Sequence, residues 1–151
     1  MIIVDTGFWL ALANKNDSLH PLAKKQFQKL INQQFITTWC VVTETCYLLQ
    51  KRVGIDVPKT LIHKISTGEL QVFNLKTKHC QRIEELMQKY RDLPMDLADA
   101  SLVILAEELG SGQILSVDYR DVNTYRWKNT EPFQIKLAEI SYQEWLKNQG
   151  E

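Results

Sequence analysis

The sequence predicts a single α/β domain built around a mostly parallel sheet of five strands. Short apolar runs alternate with longer segments whose apolar residues recur at helical spacing, as strands and helices do in such sheets. The length of 151 residues suits one domain with a buried core. Two of the apolar runs end in an aspartate, at the sheet edge where parallel α/β domains bind ligands.

Five apolar runs are the predicted strands: IIV at 2–4, FITT at 35–38, LQVF at 70–73, QILSV at 113–117 and FQIKLA at 133–138. The predicted helices begin near Phe8 or cover 22–31, 40–53, 57–66, 83–90 and 96–109. Pro21 suits a first helical turn. Gly54, Gly68 and Gly110 lie where helices are expected to end, which fits C-cap glycines.

Composition excludes several classes of protein. The formal net charge of zero removes the simplest argument for nucleic-acid binding but does not exclude it, because a neutral sum can hide separate charged patches. Three cysteines without CxxC spacing, and no secretory leader at the N-terminus, predict a cytoplasmic protein with reduced thiols. No apolar run approaches the roughly 18 to 20 residues needed to cross a bilayer, which predicts a soluble protein. The phosphate-binding motifs GxxxxGK[ST] and GxGxxG and the nucleophile motif GxSxG are absent from the sequence.

Asp5 and Asp118 follow two predicted strands directly. If these strands are neighbours, about 4.8 Å apart, both carboxylates point into the crevice beyond the carboxyl ends of the strands. The structural alternative is that each aspartate only caps a helix or starts a turn.

Three further acids join this set. Glu44 lies in the apolar helical run VVTETCYLL, where little purely polar face surrounds it. Asp96 and Asp99 lie one turn apart at a predicted helix start and share one face. For Asp96, N-capping is favoured over a functional role. Asp99 precedes apolar residues on the same side of the helix, so it is expected to face the sheet.

Gathered carboxylates repel one another and lose hydration, so a fold tolerates them only beside positive charge. A divalent cation supplies it, and an oxygen-only ligand set indicates Mg²⁺ or Mn²⁺ rather than zinc. His20, His63 and His79 form no HxH or HxxxH pair. Each is interpreted as a surface residue or a polar group at a helix edge.

The pattern of these acids and of the segments that carry them resembles that of the PIN domain family, particularly its VapC-like ribonuclease toxins. The resemblance covers nearly the whole chain and depends on four segments in the family's order: IIVDTGFWLAL, TTWCVVTETCYLL, LADASLVILAEELG and ILSVDYRDVNTYR. It matches Asp5, Glu44, Asp99 and Asp118 to the family's acidic quartet. Thr6 and Asp96 match auxiliary positions, and Ser116 stands where many members have threonine.

The resemblance implies a three-layer α/β/α fold, Mg²⁺ or Mn²⁺ at the carboxyl edge of the sheet, and endonucleolytic cleavage of RNA. Asp5, Asp99 and Asp118 are the implied metal ligands, directly or through water. Glu44 ligates the ion or orients the attacking water. Such toxins usually form homodimers and are neutralised by a small antitoxin protein.

Residues that contact RNA are harder to identify from the sequence. Arg120, Arg126 and Lys128 follow Asp118 among aromatic residues, and such a cluster can hold phosphates and stack on bases. A solvated loop whose aromatic residues anchor the last strand is favoured over this interpretation. Phe8, Trp9 and Leu10 are interpreted as core or dimer surface.

Three other functions stay open. A stand-alone RNA-processing nuclease would carry the same site without an antitoxin. A receiver-type module would need an adjacent acid pair after the first strand, where IIVDTG offers one acid. A non-catalytic RNA-binding relative would be expected to lack one of the four acids.

Overall fold

A computed structural model describes residues 1–136 and Lys147. In chain order the strands are β1 (Ile2–Val4), β2 (Phe35–Thr38), β3 (Leu70–Phe73), β4 (Gln113–Leu115), β5 (Arg126–Trp127), β6 (Glu131–Pro132) and β7 (Gln134–Ile135). The helices are α1 (Thr6–Ala13), α2 (His20–Lys29), α3 (Trp39–Arg52), α4 (Pro58–Ser66), α5 (Cys80–Lys89), α6 (Leu97–Leu109) and α7 (Tyr119–Thr124), with a 3₁₀ turn at Thr77–His79.

The central sheet has five strands in the order β3-β2-β1-β4-β7, and all four pairings are parallel. β1 and β4 are neighbours, with Val4 opposite Leu115. The carboxyl ends of these two strands therefore lie side by side. This is the condition on which the predicted meeting of Asp5 and Asp118 depends.

Apolar side chains cover both faces of the sheet. Successive strand residues alternate between two core clusters, so that Ile3 and Ile114 pack on the face that carries α5 and α6, while Val4 and Leu115 pack on the opposite face. The second cluster contains the buried α1 residues Phe8, Trp9 and Leu10. The predicted α/β/α architecture is confirmed, and so is the core interpretation of these three residues.

The helix boundaries follow local capping chemistry. Thr38 accepts a hydrogen bond from the N–H of Val41 and so begins α3 at Trp39. Gly110 ends α6 in the left-handed conformation, with φ of 66°, as predicted. Gly68 also has a positive φ, one residue beyond the C-cap of α4. Gly54 does not fill this role, because Val53 caps α3 in a right-handed conformation.

The structure corrects the last predicted strands. The run at 113–117 is a strand only to Leu115, because the Ser116 side chain accepts a hydrogen bond from the N–H of Asp118 and turns the chain. The run at 133–138 forms a strand only at Gln134–Ile135, and positions 137 and 138 lie outside the described residues. The antiparallel hairpin β5–β6 was not predicted.

No helix in the described part of the chain is long and apolar enough to cross a membrane.

Candidate metal-binding site

Asp5 is held at the junction of β1, β4 and α1. As the N-cap of α1, its Oδ1 accepts a hydrogen bond from the N–H of Thr6 at 2.7 Å. Its Oδ2 accepts a hydrogen bond from the Ser116 hydroxyl at 3.1 Å. Its own N–H donates to the carbonyl of Leu115 at 3.0 Å. Three contacts thus fix the aspartate at the carboxyl edge of the sheet.

Asp118 lies beside Asp5 and is linked to it through one hydroxyl. The Ser116 Oγ that donates to Asp5 accepts a hydrogen bond from the N–H of Asp118 at 3.0 Å. Asp118 also caps α7, because its Oδ1 accepts from the N–H of Asp121 at 3.1 Å. Asp5 and Asp118 therefore each cap a helix and also lie next to one another at the sheet edge. The capping interpretation and the shared-site interpretation are compatible.

Asp96 and Asp99 form a reciprocal capping box at the start of α6. The N–H of Asp99 donates to Asp96 Oδ1 at 2.8 Å, and the N–H of Asp96 donates to Asp99 Oδ2 at 3.2 Å. Asp96 is exposed and is the N-cap, as the favoured interpretation expected. Asp99 is half-buried, and the apolar residues that follow it on α6 are buried.

Glu44 comes from α3 on the other side of the crevice and is half-buried. Its neighbour Thr45 donates to the hydroxyl of Thr6 at 3.2 Å, next to Asp5. Thr6 is therefore part of a buried hydroxyl contact between α1 and α3. That contact sets the helix of Glu44 against the helix that Asp5 caps.

The electrostatics show that the acids act on one another. The pKa of Asp5 is raised from 3.8 to about 6, chiefly by burial and to a smaller extent by the charges of Asp118 and Asp96. Burial also raises the pKa of Asp99 to about 7, with Asp96 and Asp5 adding repulsion. The pKa of Glu44 is raised by burial and then by the charges of Asp96 and Asp5.

Burial likewise raises the pKa of Asp118, while the nearby Arg120 opposes that shift. All four acids of the predicted quartet consequently have a raised pKa. Bringing a cation among them would relieve both the burial of charge and the repulsion. The donors are carboxylate oxygens, which suit a hard divalent ion.

Within residues 1–136, no three histidine, cysteine, aspartate or glutamate side chains are arranged as a ready-made metal site. The acids share an electrostatic field, but their carboxylates must draw closer to coordinate one ion together. The donor chemistry fits Mg²⁺ or Mn²⁺.

Comparison with known proteins identifies the family. The family model described as PIN domain matches residues 2–126. The chain belongs to the PIN domain family. Ribonuclease VapC26 of Mycobacterium tuberculosis is 25% identical over 125 residues, which cover 83% of this chain and 92% of that protein. Family membership favours a PIN domain over the receiver-type alternative.

A solved structure supports the fold of this PIN domain. The crystal structure of Mycobacterium tuberculosis VapC20, titled a sarcin-ricin loop cleaving toxin, matches with a TM-score of 0.72. It shares 22% sequence identity and covers 80% of this chain and 92% of that one. At this identity the likeness concerns the fold.

His79 lies at a helix edge, as the N-cap of α5, which fits one half of its prediction, but it is not a surface residue. His79 is 7% exposed, and its Nδ1 accepts from the N–H of Lys76 while its Nε2 contacts Glu108 at 3.0 Å. The residue is buried because its ring joins the 3₁₀ turn to α6 and packs on Phe73. His63 is exposed and His20 is half-buried, so these two fit the prediction.

Two aromatic residues near the basic cluster do not lie at the surface, where stacking on RNA bases would require them. Tyr119 and Tyr125 are buried, at 2% and 3% exposed, so neither offers a face to a base. Arg126 donates to the carbonyls of Asn123 and Tyr125. Its guanidinium is engaged within the chain, which supports the structural alternative for this residue.

Sequence reasoning missed one buried contact behind the site. Thr38 and Ser101 hydroxyls are 2.7 Å apart, and Ser101 donates to the carbonyl of Ala98 at 2.6 Å. The pair joins the start of α3 to α6, and so relates the helices of Glu44 and Asp99. The only signal in the sequence is a hydroxyl residue within an apolar run, which is too common to indicate such a contact.

Proposed function

We propose that this PIN domain is a metal-dependent endoribonuclease that hydrolyses RNA phosphodiester bonds, and that it is the toxin of a type II toxin–antitoxin pair. The observation that carries the proposal is that Asp5 and Asp118 lie side by side at the carboxyl edge of a PIN fold, with Glu44 and Asp99 near enough for the charge of Asp5 to act on them. Its similarity to a protein named as a ribonuclease supports the same activity.

Asp5, Asp99 and Asp118 would hold Mg²⁺ or Mn²⁺, with Glu44 as a further ligand or as the group that orients water. A divalent ion in such a site supplies Lewis acidity toward the phosphate and lowers the pKa of bound water. The carboxylates of this chain would hold the positive charge of the cation at a fixed point. Without the cation, the carboxylates would repel the negatively charged phosphodiester.

Three auxiliary residues support the acids. Thr6 ties α1 to α3 through Thr45. Ser116 orients Asp5 and Asp118 through one hydroxyl. Asp96 caps the helix of Asp99 and adds negative charge at the rim. These contacts favour a role in positioning for all three.

For binding of RNA, Arg120 and Lys128 are the better candidates, because both are exposed. Arg120 lies two positions after Asp118 and acts on its charge. The Lys128 ammonium lies 5.7 Å from the centre of the Trp127 ring. Arg126 is the weakest candidate of the three because of its contacts with backbone carbonyls.

The remaining parts of the proposal concern partners and setting. We infer a cytoplasmic homodimer of single-domain chains, neutralised by a small antitoxin protein, with RNA as substrate. A stand-alone RNA-processing nuclease is the alternative. A neighbouring reading frame for a small DNA-binding protein would favour the toxin, and its absence would favour the alternative.

The test is cleavage of a single-stranded or loop-containing RNA by the purified protein. We expect cleavage with Mg²⁺ or Mn²⁺ and none with EDTA. Asp5→Asn, Glu44→Gln, Asp99→Asn and Asp118→Asn should each remove most activity while the circular dichroism spectrum is retained. Asp96→Asn is the matched control, because asparagine still caps a helix and should lower activity less. Cleavage that persists in EDTA contradicts the metal mechanism.

A further inference from the structure

Tyr125 lies behind the acidic site and has no role in the function proposed so far. It is the C-cap of α7, and its N–H donates to the carbonyl of Asp121 at 3.1 Å. Asp118 is the N-cap of the same six-residue helix. The two residues thus lie at opposite ends of one short element, which returns the tyrosine ring to the core beneath α6.

The ring of Tyr125 is fixed by its neighbour Tyr90. Their ring centres are 5.1 Å apart, with an interplanar angle of 69°, an edge-to-face contact. The Tyr90 hydroxyl accepts a hydrogen bond from the N–H of Arg126 at 3.0 Å, which orients that ring in turn. Packing therefore determines where the Tyr125 hydroxyl points.

That hydroxyl is buried and makes no hydrogen bond of ordinary geometry with any described residue, although Asp99 is near enough to act on it as a weak hydrogen-bond partner. A buried, unpaired hydroxyl is costly, so a native structure that keeps one requires an explanation. The charged groups that act on it are Asp99 first, then Asp121 and Asp118. Two of these are members of the acidic quartet. Tyr125 also packs in the core cluster that contains Ala100, the residue directly after Asp99, so the tyrosine lies on the core side of the site.

We propose that Tyr125 is a positioning residue whose hydroxyl donates a hydrogen bond to the Asp99 carboxylate when that carboxylate turns toward a bound cation. The inference rests on the proposed function. Asp99 Oδ2 already accepts from the N–H of Asp96, so this contact and the tyrosine would hold the carboxylate from two directions. Groups that orient a ligand in this way typically change metal affinity by about 10- to 100-fold.

The competing explanation is that the hydroxyl is an unused polar atom of the core. In that case Tyr125→Phe keeps the ring packing, removes an unpaired donor and leaves the site unaffected. Tyr90→Phe is the matched control. It removes the hydroxyl of the contacting ring, which is paired with the N–H of Arg126.

The experiment measures the melting temperature in EDTA, the Kd for Mn²⁺ alone by calorimetry, and kcat and KM for RNA. We expect Tyr125→Phe to melt in EDTA at or above the wild-type temperature, to bind Mn²⁺ about tenfold more weakly or worse, and to lose kcat with KM unchanged. Tyr90→Phe should melt lower and keep the wild-type Kd. In the wild type, titration with diamagnetic Mg²⁺ should shift the ¹³Cζ resonance of Tyr125 and not that of Tyr90.

A Tyr125→Phe protein with the wild-type Kd, or an unmoved Tyr125 resonance in a wild type that binds Mg²⁺, overturns the inference. Equal losses of affinity in both variants also overturn it, because packing would then be the cause. Failure of the wild type to bind either cation refutes the proposed function itself, and the positioning role with it.

Discussion

Replacing Asp99 by asparagine separates a shared metal pocket from a set of unrelated helix caps. Asparagine keeps the oxygen that accepts from the N–H of Asp96, so the capping box is retained while the charge is removed. In a crowded pocket without metal, losing that charge removes the repulsion from neighbouring carboxylates and the free-energy cost of burying a charge. At an ordinary helix N-terminus it removes a favourable charge.

The pKa of Asp99 sets the size and direction of the effect. It rises from 3.8 to about 7 on folding, chiefly through burial. The folded state thus binds its proton more tightly than the unfolded state, and the stability of the apo protein falls as pH rises from 3.8 to about 7. At about 1.4 kcal/mol per pKa unit, the full penalty above pH 7 is about 4 kcal/mol at most.

Solvent reduces that figure, because Asp99 is only half-buried, and about 1–2 kcal/mol is a reasonable size. The lost interaction with the helix N-terminus opposes it by about 0.3–1 kcal/mol. We therefore expect Asp99→Asn to stabilise the apo protein by about 1 kcal/mol at pH 8, a rise of about 2–4 °C in Tm.

The assay is a thermal melt followed by circular dichroism, at pH 8 and pH 5, with EDTA and with Mn²⁺. The advantage of Asp99→Asn should shrink at pH 5, where much of the penalty is absent. Mn²⁺ at a hundredfold its Kd should stabilise the wild type by about 2.7 kcal/mol and the variant less. Asp92→Asn, an exposed acid in the turn before α6, is the control. An Asp99→Asn protein that melts below the wild type in EDTA at pH 8, with an equal response to Mn²⁺, refutes the reasoning.

Two further predictions concern Ser116 beside the site and Gly112 at the amino end of β4. Ser116→Ala removes the hydroxyl shared by Asp5 and Asp118 and should lower the free energy of unfolding in urea by about 1–2 kcal/mol. It should also lose RNA cleavage, which Ser116→Thr should restore. Wild-type activity in the alanine variant would contradict the positioning role. Gly112→Ala places a methyl group against the Trp127 indole nitrogen and should lower the free energy of unfolding in urea by about 1–3 kcal/mol. Wild-type stability would contradict this and show that the loop adjusts freely.

The sheet could be predicted from sequence because its strands are short, apolar and buried on both faces. The starts and ends of β1, β2 and β3 are those of the apolar runs. The β5–β6 hairpin was missed because its turn places Lys128 and Asn129 at positive φ, where glycine is the usual signal. The end of β4 depends on a hydrogen bond from the N–H of Asp118 to the Ser116 hydroxyl two residues earlier, a local turn that serine favours only weakly.

Asp5, Asp99 and Asp118 could be located because they follow strands or start a helix, and Glu44 because it is an acid within an apolar helical run, but the partners of these acids could not. The Thr38–Ser101 contact joins residues 63 positions apart. The burial of His79 depends on Glu108 and the N–H of Lys76. Such contacts arise from packing between elements, whereas sequence periodicity reports only which face of one element is apolar.

The central claim is that Asp5, Glu44, Asp99 and Asp118 together form a site for a divalent cation. Locating Mn²⁺ in crystals by its anomalous scattering tests this claim most directly. We expect a peak coordinated by oxygens of Asp5, Asp99 and Asp118, directly or through water, with Glu44 beside it. Crystals of Asp99→Asn grown and soaked in the same way should show a weaker peak or none. Mn²⁺ bound elsewhere on the chain, with the four acids left uncoordinated at saturating Mn²⁺, would contradict the claim.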